Sequence, residues 1–232
     1  MTTLLLVRHG QASFGARNYD ELSANGERQG TLLGEHWRRC GRRFDAAWSG
    51  NMERQKVTAA RAFEAMGQPQ AAVTIDPAFN EFDHQALIHA YLPLVARENP
   101  QFSASTRTLL GNPQAFEQLF NLIMACWISG RVGLAPVSES WEAFQARCLD
   151  GVRRVAASGA QQAVVFTSGG VITAALRAAL DLDADRAFHL NWEIHNASVH
   201  SFRPDGERIR LLRFNEVAHL ELAGDPALLT RR

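Results

Sequence analysis

Three short segments of this sequence carry groups that could act together on a phosphorylated compound. Arg8-His9-Gly10 closes one apolar run, Ser49 to Arg54 follows a second, and Ser168-Gly169-Gly170 follows a third. Together they offer an imidazole, two guanidiniums and the amides of a glycine turn. A phosphate dianion repels nucleophiles until its oxygens are neutralised, and Arg8 and Arg54 are planar, permanently charged donors suited to that task. A neutral His9 nitrogen can then attack phosphorus in line, dividing the reaction into transfer to the protein and hydrolysis of a phosphohistidine. Chemistry of this kind calls for neither a metal nor an organic cofactor. The departing alkoxide needs a proton. Glu81 is the first candidate to give it and Asp83 the second, both within Asn80-Glu81-Phe82-Asp83-His84. Ser168 and the Gly169 amide would bind a phosphoryl oxygen, as glycine turns at helix N-termini do.

For these segments to meet, the chain must bring the ends of several strands together. Thr3 to Val7 is apolar without interruption, the pattern of a strand buried on both faces of a parallel sheet. Phe44 to Ser49, Val73 to Ile75 and Ala163 to Thr167 read as further strands. Ser23 caps a helix carrying Gly30, Leu33, Gly34 and Trp37 on one face, and its two glycines suggest close packing on the sheet. Asn51 opens a second helix with Ala59, Phe63 and Met66 inside. This alternation predicts an α/β fold, a three-layer sandwich with a mostly parallel central sheet, helices on both faces and a helical insertion. In such sheets ligands bind beyond the carboxyl ends of the strands, where all three segments fall.

The chain reads as one domain, 1–232, with residues 84–136 as a helical insertion capping the substrate side. Asp83 to Thr108 is mostly helical, with Pro93 and Pro100 expected to break it. Phe116, Leu119, Phe120, Ile123, Met124 and Trp127 form an amphipathic stripe suited to core packing, and Ser140 can cap the helix that follows. Late in the chain, Ala197 to Phe202 and Ile209 to Phe214 form a hairpin through the turn residues Arg203-Pro204-Asp205-Gly206.

The ordered set of motifs resembles the histidine phosphatase superfamily, which includes the cofactor-dependent phosphoglycerate mutases. Leu4 to Gln11 resembles the family's opening. Leu22-Ser23 with Gly26 and Gln29, then Ser49 through Arg54 to Thr58-Ala59, resemble the next two segments. Glu81 matches the acid position. Glu139-Ser140 with Arg147 and the stretch Val164 to Ile172 complete the likeness, which runs from residue 3 to about residue 202. The resemblance implies His9 as nucleophile, Arg8 and Arg54 as phosphoryl ligands, Glu81 as acid, and Gly10, Gln11 and Ser13 along the phosphate and substrate site.

Two departures matter. The family's late motif usually holds a second histidine where this chain has Ser168, and His84 is a candidate to supply the missing imidazole. Where the mutases continue their Arg-His-Gly with an acidic residue and a Trp-Asn pair, this chain has Gln11-Ala12-Ser13-Phe14-Gly15. A phosphomonoester phosphatase is therefore expected ahead of a mutase, with a non-catalytic phosphate-binding domain as a further alternative.

Bulk properties narrow the partners. Lys+Arg and Asp+Glu both number 24, so no net charge draws the chain to nucleic acid or an anionic membrane, and a small phosphate ester is the expected partner. A homodimer is left open. The three cysteines lie far apart without a CxxC pair, and no leader or membrane span is readable, which points to the cytoplasm. The pairs His84/His89 and His195/His200 lack the i, i+4 spacing of helical metal ligands, so no metal site is expected.

Overall fold

A computed structural model describes residues 2–13, 20–69, 71–102, 112–206 and 208–231. Its six-stranded sheet comprises β1 (Thr3–Arg8), β2 (Ala46–Ser49), β3 (Val73–Ile75), β4 (Gln162–Thr167), β5 (Val199–Asp205) and β6 (Arg208–Glu216), in the order β3-β2-β4-β1-β5-β6. β3, β2, β4 and β1 run parallel, and β5 and β6 are antiparallel additions beyond β1. The described helices are α1 (Ala24–Arg39), α2 (Glu53–Ala65), α3 (His84–Glu98), α4 (Pro113–Ile128), α5 (Trp141–Ala157), α6 (Gly169–Leu180), α7 (Ala184–Asn191) and α8 (Ala218–Glu221).

The chain leaves β1 toward β2 on one side and leaves β4 toward β5 on the other. The crevice between the ends of β1 and β4 is therefore the point where the winding reverses, the place such sheets reserve for ligands. Register pairs Arg8 with Thr167, so His9 and Ser168 emerge side by side there.

Alternation along β1 sends Leu5 and Val7 into a core with Leu33 and Trp37 of α1 and Ala59, Ala62 and Phe63 of α2. Leu4 and Leu6 are equally buried on the opposite face, where α6 packs against β1 and β6. The glycines of α1 serve a different contact from the expected one, because they face α2 rather than the sheet. A Cβ at Gly34 would stand 2.1 Å from the Ala62 carbonyl oxygen.

Ser23 caps α1 as the sequence suggests, its hydroxyl accepting from the Gly26 amide at 3.1 Å. Ser140 caps α5, accepting from the Ala143 amide at 3.1 Å. Two prolines behave differently from expectation. Pro93 lies inside an unbroken α3, on its exposed side with His89, so the carbonyl it deprives of a partner can meet water. Pro204 continues β5 two residues past its last pairing with β1, at Phe202, so its missing N–H removes no bond to that strand.

The residues divide into two compact units, 1–81 with 147–232, and 82–146. The second contains the region read as an insertion. Within it, Phe82, Trp127, Trp141 and Phe144 pack as an aromatic cluster with ring centroids 5.2–6.0 Å apart.

Candidate active site

His9 continues β1 by one residue, donating its N–H to the Thr167 carbonyl of β4 at 2.8 Å. Gly10 follows because nothing larger fits: a Cβ there would stand 2.3 Å from the Gly26 carbonyl oxygen in the first turn of α1. The Gly10 amide donates to Thr58 Oγ1 at 2.9 Å, and the Thr58 hydroxyl donates to the Arg54 carbonyl at 2.7 Å. The His9 carbonyl accepts from the Ala197 amide at 3.2 Å and from Asn196 Nδ2 at 3.3 Å. Ala197 has φ +56°, a left-handed conformation unusual for a residue with a side chain.

The imidazole's neighbours fix its tautomer. Nδ1 lies 2.7 Å from the Gly10 carbonyl, which can only accept, so Nδ1 carries the proton. Nε2 then holds the lone pair and accepts from Arg54 Nε at 3.1 Å. Burial depresses the His9 pKa well below its usual value, and the charges of Arg54 and Arg8 push it further, against the opposing pull of the Gly10 carbonyl. The ring is neutral at neutral pH, with its nucleophilic electron pair turned toward a guanidinium.

Arg54 stands in the first turn of α2, where a cation opposes the helix dipole and calls for a neighbouring anion. Asp20 supplies one, with Oδ1 2.8 Å from Arg54 Nη1 and Oδ2 accepting from the Glu53 amide at 2.8 Å. Arg8 sends Nη1 to the Ile194 carbonyl. Its Nε lies 3.9 Å from where a Cβ on Gly169 would be, at the N-terminus of α6.

Glu81 comes to the same helix end, its Oε2 accepting from the Gly170 amide at 3.0 Å. The loop that carries it is anchored by Arg147, whose Nη1 reaches the Pro77, Ala78 and Asn80 carbonyls at 3.0 Å each. Ser168 is fully buried at the N-cap of α6 and accepts from Gln55 Nε2 at 2.8 Å.

His9, Arg8, Arg54, Glu81, Ser168 and Gly169 thus converge at the ends of β1, β2 and β4. The other residues expected at the site make the following bonds. The Gln11 amide donates to Gln29 Oε1 at 2.8 Å and its Oε1 accepts from Ser23 Oγ at 3.0 Å, while the Ser13 amide goes to the Glu21 carbonyl at 2.8 Å. Asp83 caps α3 through the Ala86 amide at 3.0 Å, and His84 is that helix's first residue. Phe14, in the segment where this chain departs from the mutases, lies outside the described residues.

Sequence reasoning missed Asp20, Gln55, Asn196 and Thr230. Thr230 Oγ1 donates to Asn196 Oδ1 at 2.9 Å and accepts from Gln29 Nε2 at 2.9 Å, which ties the end of the chain to both sides of the 9–11 loop. No local pattern announces these partners, since the participants lie tens to hundreds of residues apart. Among the described residues no cluster of three or more His, Cys, Asp or Glu could hold a metal ion, and no helix is long and apolar enough to cross a membrane.

A neutral imidazole between two guanidiniums, at the reversal point of an α/β sheet and beside a helix N-terminus, is the layout of a phosphoryl-transfer enzyme. The chain belongs to the histidine phosphatase superfamily (branch 1), which it matches over residues 4–217. It is 31% identical over 88 residues to a 2,3-bisphosphoglycerate-dependent phosphoglycerate mutase of Bartonella bacilliformis, a stretch covering 35% of this chain and only 43% of that relative. Among solved structures it is similar to a phosphoserine phosphatase of Entamoeba histolytica, with TM-score 0.65 and 16% identity over 95% of this chain and 100% of that one. A mycobacterial glucosyl-3-phosphoglycerate phosphatase gives TM-score 0.63 and 21% identity over 94% and 99%. At such identities the likeness is one of fold.

Proposed function

We propose that the protein is a metal-independent phosphatase of small phosphate monoesters that works through a phosphohistidine on His9. The observation that carries this reading is the pair of contacts, Nδ1 to the Gly10 carbonyl and Nε2 to Arg54 Nε, from which the tautomer of His9 follows. With Nδ1 protonated onto the Gly10 carbonyl and Nε2 facing Arg54, the imidazole is a neutral base whose lone pair needs no deprotonation before attack.

Arg54 and Arg8 bind the phosphoryl oxygens, and the incoming dianion takes over from Asp20 as the anion beside Arg54. Glu81 protonates the leaving oxygen, and the same carboxyl then accepts a proton from the water that hydrolyses the phosphohistidine. The guanidiniums supply the charge that a metal would otherwise bring.

The phosphoglycerate mutase of Bartonella bacilliformis favours a second reading, transfer between two positions of a phosphorylated three-carbon acid. One assay separates the two. Wild-type protein in EDTA is given p-nitrophenyl phosphate and, separately, 3-phosphoglycerate with 2,3-bisphosphoglycerate. The phosphatase reading expects release of nitrophenol and inorganic phosphate in the first; formation of 2-phosphoglycerate without net phosphate release in the second would replace it by the mutase.

A further inference from the structure

We infer that Gln55 is a positioning residue that makes Ser168 a hydrogen-bond donor to the transferring phosphoryl group. Gln55 thereby fills, through a serine hydroxyl, the place of an imidazole donor. This inference rests on the phosphatase reading of the site.

Gln55 is fully buried in the first turn of α2, directly after Arg54. Its amide orientation is set by its partners. Nε2 lies 3.0 Å from the Phe79 carbonyl, which can only accept, and Oε1 accepts from the Met52 amide at 3.4 Å. The second Nε2 proton is thus directed at Ser168 Oγ, 2.8 Å away. An amide nitrogen cannot accept, so Ser168 must be the acceptor in this bond, and its own proton has to go to a different group.

The helix end gives an independent sign. Serine at an N-cap ordinarily turns its oxygen to a first-turn amide, yet Ser168 makes no such bond. The nearby Gly170 amide is taken by Glu81 instead. The hydroxyl has been drawn off its helix toward α2, and accepting from Gln55 polarises its O–H for donation.

The fold makes room for this arrangement. A Cβ at Gly50 would stand 2.0 Å from Gln55 Oε1, so glycine there lets the amide lie flat against the loop. Successive residues of one helix turn therefore serve two groups: Arg54 faces His9 Nε2, and Gln55 faces Ser168.

A residue that acts only through Ser168 has a specific signature. Ser168→Ala and Gln55→Met are each expected to lower kcat for p-nitrophenyl phosphate by about 10²-fold, the usual cost of one preorganised donor, with little change in KM. The double variant should be no slower than Ser168→Ala alone, because the two changes remove one donor. The same pattern is expected in affinities for orthovanadate measured by calorimetry. Circular dichroism checks folding; should Gln55→Met not fold, Gln55→Leu, which also removes the donor, replaces it with the same expected loss.

Losses that multiply in the double variant, or normal turnover by Gln55→Met, would overturn the inference while leaving the phosphatase reading intact. A wild-type protein without turnover whose vanadate affinities still follow the predicted pattern would sink the phosphatase reading and keep the Gln55–Ser168 pair. Failure of the wild type in both assays would remove both.

Discussion

The surroundings of His9 and the interior of the 82–146 unit rest on different kinds of contact. Around His9, backbone and side-chain groups are joined by directed bonds: its carbonyl to Asn196 and Ala197, the Gly10 amide to Thr58, the Gln11 amide to Gln29. In the 82–146 unit the main feature is non-directional, an aromatic cluster of Phe82, Trp127, Trp141 and Phe144. Directed bonds fix atoms to within tenths of an ångström, as transfer chemistry requires, whereas apolar packing stabilises a shape and tolerates variation in its lining. Polar deletions in the first unit should thus cost activity, and aromatic truncations in the second should cost stability.

The sharpest way to break this contrast begins at His9. His9→Ala should lower turnover of p-nitrophenyl phosphate by at least about 10⁴-fold with an unchanged melting temperature, since the nucleophile is lost while the fold keeps its core. Next, Phe144→Ala should destabilise the protein by about 3–5 kcal/mol in urea denaturation, because the ring is fully buried among three others. A loss below about 1 kcal/mol would show that the cluster is not the unit's core. Arg54→Lys retains charge but loses the fork that reaches both His9 and Asp20, and a fall of about 10² in kcat/KM is expected by steady-state kinetics.

Smaller effects sharpen the same contrast. Burial, with Arg8 nearby, pushes the His200 pKa down to about 3. Below the usual pKa of about 6.5 the unfolded chain takes up a proton that the folded protein refuses. Stability therefore falls as pH drops from about 6.5 toward 3, by about 1.4 kcal/mol per pH unit for this group. His200→Gln should flatten that slope in denaturation curves taken between pH 7 and pH 5. Smallest of all, Val132→Ser in the other unit should shift stability by no more than about 0.5 kcal/mol, since Val132 is 86% exposed.

What could be read from the sequence divides along similar lines. β1 announced itself because a strand buried on both faces is apolar throughout, and Ser23 and Ser140 because capping is a bond to an amide three residues away. His9, Arg8 and Arg54 were legible since they sit at strand ends and helix starts, where residue type alone suggests chemistry. Asp20 beside Arg54 and Gln55 beside Ser168 were not, because each pair joins segments 34 and 113 residues apart through side chains that look ordinary in isolation. Pro93 misled for a physical reason: local sequence reports the lost N–H but not that the helix there faces solvent.

The proposed mechanism passes through a covalent phosphohistidine, and trapping that intermediate tests it most directly. Wild-type protein is mixed with p-nitrophenyl phosphate, quenched in alkali within one turnover, digested and examined by mass spectrometry. A phosphoryl group is expected on the peptide bearing His9, stable in alkali, lost in acid and missing from His9→Ala. A phosphoryl group on Ser168, or sustained turnover with none on any residue, would contradict that mechanism.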